Sequence, residues 1–251
     1  LIGRNGAGKT TVLKSILGLT PYQGSVTVLG REPMRERSAL MNDVCFIADT
    51  AVLPRWLRVW QAIEYLAGVH PRFNRQRAAD VLATTGIRLD QRVGELSKGM
   101  ITQLHLALIL AVDARLLILD EPTLGLDLLY RRQFYDTLLN DYFDKERTIL
   151  LTTHQVEEVE HLLTDVLFID RGQVMLAAAV EDLASRFQQL TLAPDKLEAA
   201  RALGPFYERE LFGRTIMLFE GRPADSLSGL GDVRTPGIAD LFVAKVQAVA
   251  S

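Results

Sequence analysis

Two rhythms of apolar residues alternate along this chain. Short continuous apolar blocks, Val44 to Ile47, Leu116 to Leu119 and Thr148 to Thr153, read as strands, the last two as strands buried on both faces. Between them, apolar positions recur every three or four residues, the period of a helix with one buried face. Thr11 to Leu19 turns Val12, Leu13, Ile16 and Leu17 inward and stops at Gly18. Pro21 and Gly24 then turn the chain into a predicted short strand, Ser25 to Leu29, and a short helix is expected within Arg31 to Asn42. Further helices are predicted from the tryptophan segment through Tyr65 and Leu66, from Asn74 to Thr85 with Ala78, Val81 and Leu82 inward, and after Met100 with Ile101, Leu104, Leu108 and Ala111 on one stripe. A fourth runs from Leu128 to Phe143. Strands alternating with helices in this way predict an α/β fold around a mostly parallel sheet.

Beyond that region the pattern changes. A hairpin, Val166 to Leu176, is turned by Arg171-Gly172, and a helix near Val180 to Phe187 follows. Short strand-like pieces such as Arg214 to Phe219 are broken by Gly204-Pro205, Gly221 to Pro223 and Pro236-Gly237, and a last helix spans Ile238 to Val249. This is the pattern of a small α+β appendage.

At 251 residues the chain has room for one large domain, or one domain with an appendage. The apolar fraction of 48% and charged fraction of 24% are those of an ordinary globular protein. A net charge of −3 without a long basic run gives no electrostatic footprint for nucleic acid, which is excluded as a partner. Cys45 is the single cysteine, so no internal disulfide can form, and between Val44 and Phe46 it reads as a small core residue. The most apolar stretches, Leu104 to Val112 and Arg115 to Leu119, fall short of the ~20 residues a bilayer-spanning helix needs, so the chain does not cross a membrane by itself. Val52 to Trp60 holds Trp56 and Trp60 among proline and arginine breaks; an interface or internal packing would explain it.

The chemistry begins at the first residues. Gly3 to Thr10 matches G-x-x-x-x-G-K-[ST] without a mismatch, directly after the apolar pair Leu1-Ile2. Glycines at 3, 6 and 8 let the backbone turn and aim successive N–H groups at a polyphosphate. The candidate nucleotide-binding residues are Gly3, Asn5, Gly6, Ala7, Gly8, Lys9, Thr10 and Thr11, with Lys9 reaching the β and γ phosphates and the Thr10 hydroxyl suited to Mg²⁺. A cradle of this kind normally follows a full strand of roughly 5–6 residues, so the amino end reads as cut short.

Leu116 to Leu119 delivers Asp120-Glu121 at its carboxyl end, the edge of a parallel sheet where ligands sit. Two adjacent carboxylates beside a phosphate cradle have separate tasks: Asp120 to hold Mg²⁺, and Glu121 to orient or deprotonate an attacking water. The strand Thr148 to Thr153 ends at His154, a donor for the γ phosphate or the attacking water. His70, His105 and His161 read as surface or packing residues. Ser97 can cap the helix behind Leu96-Ser97-Lys98-Gly99-Met100, and Gly99 leaves its first turn bare of side chain.

In this order, the cradle, Leu96 to Met100, the Asp120-Glu121 strand, Gly125-Leu126-Asp127 and His154 resemble the ATP-binding cassette (ABC) ATPases. The resemblance covers about residues 1–176 and implies a P-loop NTPase fold with a helical subdomain at about 50–112, residues 177–251 forming an accessory domain. The family's signature is LSGGQ, and LSKGM looks like the variant seen in exporter-type cassettes. The segment with Asp127 matches the family's D-loop and His154 its switch histidine. The resemblance further implies ATP and Mg²⁺ as ligands and a head-to-tail pair, homo- or heterodimeric, in which ATP lies between the cradle of one copy and Ser97 and Gly99 of the other. A separate transmembrane permease would carry the motion, placing this chain peripherally on the cytoplasmic face of the cell membrane.

Three departures stand out. Asp49 occupies the place of the family's glutamine, where it could still ligate Mg²⁺; Ile101 and Thr102 follow the signature in place of basic residues; and the family's opening strands and adenine-stacking aromatic are absent. The expected function is the ATP-hydrolysing subunit of a membrane exporter. The alternatives are a soluble cassette ATPase without a membrane partner, though neither a second cassette nor a coiled-coil insertion is present, and a non-hydrolysing ATP-binding regulatory module, suggested by Asp49 and the altered signature. A small-molecule kinase or a GTPase would share only the cradle.

Overall fold

The structure is a computed structural model that describes residues 1–48, 53–124, 126–143 and 146–248. The chain divides into two compact units, residues 1–9 with 153–251, and residues 10–152. A short strand β1 (Ile2–Gly3) leads through the glycine turn into helix α1 (Lys9–Ile16). Gly18, at φ 63°, ends that helical stretch as its sequence predicts.

In the unit of residues 10–152, β2 (Val44–Ile47), β3 (Leu116–Asp120) and β4 (Thr148–Thr152) form a three-stranded parallel sheet with β3 in the centre. All five β3 residues are buried, which is why the sequence there is one apolar run with no alternation. The register sets Asp120 opposite Thr152. Helix α2 (Arg37–Met41) precedes β2. Helices α3 (Val59–Val69), α4 (Arg75–Ala83) and α5 (Lys98–Leu110) pack around Ala62, Ala78, Leu104 and Ala107. Asn74 caps α4 by accepting from the Arg77 N–H at 3.0 Å. The expected stripe on α5 is wider than one face, since Leu106, Ile109 and Leu110 are buried along with Leu104 and Leu108. Asp43 anchors the start of β2. Its carbonyl accepts from the Arg115 and Leu116 N–H groups, and its carboxylate pairs with Arg31 at 2.7 Å and Arg72 at 2.9 Å.

Two expectations change. Ser25 to Leu29 is not a strand: Leu29 and Gly30, both at positive φ, form a tight turn that closes a single bridge between Val28 and Arg31. The predicted helix Leu128 to Phe143 is α-helical only as α6 (Leu128–Thr137) and widens to a π-helical turn over Leu138–Tyr142. For Trp56 and Trp60, where the sequence leaves interface and internal packing both open, the side chains are 71% and 46% exposed.

In the other unit, β1 pairs in parallel with β5 (Asp165–Asp170), which pairs antiparallel with β6 (Gln173–Ala179) across the Arg171-Gly172 turn. Helix α7 (Val180–Arg186) then leads to a four-stranded antiparallel sheet, ordered β10-β7-β9-β8. Its strands are β7 (Phe187–Leu192), β8 (Tyr207–Leu211), β9 (Arg214–Glu220) and β10 (Asp232–Arg234). Helices α8 (Leu197–Arg201) and α9 (Ile238–Ala248) complete it, while Val249 lies outside the described residues. Phe168 and Leu176 share one buried core with Leu183, Phe187, Leu218 and Leu241, so residues on both sides of position 176 pack together. No helix among the described residues is long and apolar enough to cross a membrane.

Candidate nucleotide site

The glycine turn is tight for stated reasons. A Cβ on Gly3 would stand 2.6 Å from the Ile169 carbonyl oxygen, so only glycine fits where β1 meets β5. Gly6 and Gly8 lie at φ 79° and 110°, conformations that L side chains rarely adopt. The Ala7 N–H closes a turn on the Arg4 carbonyl at 3.1 Å, and the Gly172 N–H holds Ala7 by its carbonyl at 2.9 Å. Lys9, only 7% exposed, curls its ammonium back into the turn and donates to the Gly3 carbonyl at 2.7 Å. Arg4, Asn5 and Gly6 form its open rim. A buried cation ringed by backbone is the arrangement that receives a polyphosphate.

In the unit of residues 10–152, the carboxyl ends of β3 and β4 gather the polar groups. The Thr10 hydroxyl donates to Asp120 Oδ2 at 2.9 Å, and the Thr152 hydroxyl donates to Asp120 Oδ1 at 2.5 Å. Asp120 is 1% exposed, so both carboxylate oxygens depend on these hydroxyls for the solvation that burial removes. Glu121 follows at φ 48°, a left-handed conformation uncommon for any residue but glycine. Its N–H donates to the Thr152 carbonyl at 3.2 Å and to the Thr152 hydroxyl at 3.1 Å. Such strain is typical of functional sites and costs of order 1–3 kcal/mol.

The signature segment keeps its predicted cap: Ser97 is exposed and its hydroxyl accepts from the Met100 N–H at 3.2 Å. Asp127, also exposed, caps α6 by accepting from the Tyr130 N–H at 3.1 Å. Gly99 differs from expectation. Its first turn is not bare but buried under the Tyr130 ring, which a Cβ at Gly99 would overlap. Gly99 and Asp127 are thus tied together through Tyr130, a link invisible in motif spacing.

His154 lies on the surface just past β4, next to Thr153, whose N–H donates to the Leu1 carbonyl at 3.3 Å. Asp49 lies outside the described residues. Cys45 is free and sits in β2, where burial pushes its thiol up to about 12, so it stays an inert thiol near neutrality. The residues that the motifs did not point to are Thr152 and Tyr130. For Thr152 there was a signal, a hydroxyl directly after the apolar run Ile149 to Leu151.

A glycine cradle with an inturned lysine, and a threonine hydroxyl on a buried aspartate at a parallel strand's carboxyl end, define a P-loop nucleoside triphosphatase. Residues 1–124 match the family model described as ABC transporter. The chain is 34% identical over 235 residues to the Nod factor export ATP-binding protein I of Burkholderia pseudomallei, covering 89% of this chain and 77% of that one. It is 32% identical over 230 residues to the taurine import ATP-binding protein TauB of Mesorhizobium japonicum, covering 89% and 86%. Among solved structures it is similar to an ATP-binding subunit of an ABC transporter, with 26% identity and a TM-score of 0.63 over 72% of this chain and 78% of that one. The chain belongs to the ABC transporter ATP-binding proteins and is an ATP-hydrolysing subunit of that family.

Proposed function

We propose that this chain powers export through a separate transmembrane permease, bound peripherally at the cytoplasmic face of the membrane. The LSKGM form of the signature and the likeness to Nod factor export proteins support export. The comparable likeness to a taurine import protein supports the second reading, uptake. Reconstitution with the permease in inside-out vesicles separates them: an exporter accumulates cargo in the lumen on adding ATP, and an importer does not. The exposed Trp56, Trp60 and Tyr65 on and before α3 supply an apolar face for the partner.

At the reaction centre the observation that carries the proposal is the buried Asp120 held by Thr10, with Glu121 next to it at the strand end. Residues 3–11 cradle the triphosphate, and Lys9 places its charge against the β and γ phosphates. Thr10 and Asp120 offer a hydroxyl and a carboxylate, the hard oxygen donors Mg²⁺ prefers, and would hold it with Asp49. When bound, Mg²⁺ neutralises charge on the phosphate oxygens. Glu121 takes the proton from the attacking water as its oxygen bonds to the γ phosphorus and the bond to the β-phosphate oxygen breaks, releasing ADP and phosphate. His154 donates a hydrogen bond to the γ phosphate. Ser97, Gly99 and Asp127 of a second cassette, homo- or heteromeric, close the site head to tail, the exposed Ser97 and the α5 amino end offering donors across that interface. Residues 177–251 serve as an accessory domain in dimer contact or regulation.

The test is Glu121→Gln. Phosphate release should fall by about 10²–10⁴ while a fluorescent ATP analogue still binds. Turnover at the wild-type rate would sink the assignment.

A further inference from the structure

Thr152 ends β4 directly opposite Asp120 and is fully buried. A threonine hydroxyl has one proton to give and two lone pairs to receive with. The proton goes to Asp120 Oδ1 at 2.5 Å, because a carboxylate only accepts. The oxygen is then left to receive the Glu121 N–H at 3.1 Å, sharing it with the Thr152 carbonyl at 3.2 Å. One side-chain atom therefore holds two successive residues, on either side of the peptide that joins them. That peptide leads into the left-handed backbone of Glu121, a conformation that persists only where surrounding contacts over-determine it. With Thr10 on the other carboxylate oxygen at 2.9 Å, the plane of Asp120 is set from both sides.

We propose that Thr152 is a positioning residue for ATP hydrolysis: its hydroxyl locks the Asp120 carboxylate and the Glu121 backbone into one arrangement, so that the two acidic side chains are presented together. The proposal rests on the reading of Asp120 as the metal carboxylate and Glu121 as the base. Removing the hydroxyl leaves Asp120 buried with one oxygen unserved and loosens the strained turn, so both metal affinity and turnover suffer. Groups that orient a metal-bound carboxylate typically matter about 10–100-fold.

The experiment uses the full chain with Thr152→Val, which keeps the shape and loses the hydroxyl, and Thr152→Ser, which keeps the hydroxyl. Phosphate release is measured against Mg²⁺ at saturating ATP, and binding of a fluorescent ATP analogue is measured with and without Mg²⁺. The valine variant should need more Mg²⁺ for half-saturation and turn over more slowly, together about 10–100-fold, with metal-free nucleotide affinity unchanged. The serine variant should stay near wild type. A valine variant with wild-type Mg²⁺ requirement and rate, or a serine variant as impaired as valine, overturns the proposal. Should the valine variant not accumulate as folded protein, Thr152→Ala, which cannot clash, is scored in the same way. Glu121→Gln run alongside separates the two layers: if it hydrolyses normally, the reading of the acidic pair is wrong, whereas if it is inactive and Thr152→Val is normal, only the positioning role falls.

Discussion

Strands β3 and β7 are both interior to their sheets and both buried nearly throughout, yet they treat buried polar groups differently. In β7 two glutamines sit mid-strand. Gln188 donates to the Ala184 carbonyl at 2.7 Å, and the Gln189 amide, once its oxygen is assigned to the side facing Arg234 as the surrounding donors require, accepts from that guanidinium at 2.7 and 2.9 Å. These bonds stay within the local fold. In β3 the single polar residue comes last, and its partners are hydroxyls, one of them on Thr10, at the end of the glycine turn. Burial of a polar group therefore marks a site only when its partners could serve a ligand as well; otherwise it closes a fold.

Glu121→Gln is the largest expected effect at the β3 end, a loss of about 10²–10⁴ in turnover with little change in melting temperature. Its mirror image is Gln189→Leu in β7, which removes the bonds to the exposed Arg234 and should cost about 1 kcal/mol of stability in urea titration, with turnover per folded molecule unchanged. A Gln189→Leu protein that melted normally but hydrolysed slowly would break the contrast. Gly99→Ala falls between the two, since a methyl against the Tyr130 ring overpacks the signature turn by about 1–3 kcal/mol. Thermal melts should show that Tyr130→Ala in the same molecule relieves that clash. If the double variant is no more stable than the sum of the singles, the ring is not what excludes a side chain there.

A smaller effect separates fold from site by pH. The Asp43 carboxyl is held below its ordinary value, first by the hydrogen bond from Arg31 and then by the charge of Arg72, against burial that pushes it up. The folded state thus favours the charged form. Its stabilisation is complete above the ordinary aspartate value of about 4 and fades as pH falls through the lower folded value. Asp43→Asn should flatten that acid limb in melts taken from neutral pH down to about 3. The smallest change is Phe212→Gly. Phe212 is 97% exposed and sits at φ 50°, so glycine should leave stability equal or higher, by up to about 1 kcal/mol in the same melts.

The cradle and the β3 block were legible because each is confined to a short stretch: four fixed positions within eight residues in one case, an unbroken apolar run in the other. Ser25 to Leu29 misled because its alternation is that of a strand, while Leu29-Gly30 turns the chain back after a single bridge. The tryptophans were ambiguous since their burial depends on neighbours no local pattern names. Tyr130 on Gly99 and Thr152 on Asp120 join residues about thirty positions apart, the first pair met through side-chain packing and the second through the β3–β4 register, and neither is written in any local pattern.

The left-handed backbone at Glu121 carries a consequence for descent. Asparagine and glycine enter that conformation with less strain than glutamate, so either would relax the turn by roughly 1 kcal/mol. On the role proposed for Glu121, both would also end turnover. Selection for persistence alone therefore drives this position toward a folded, nucleotide-holding but silent protein, and only continued demand for work keeps the glutamate in place.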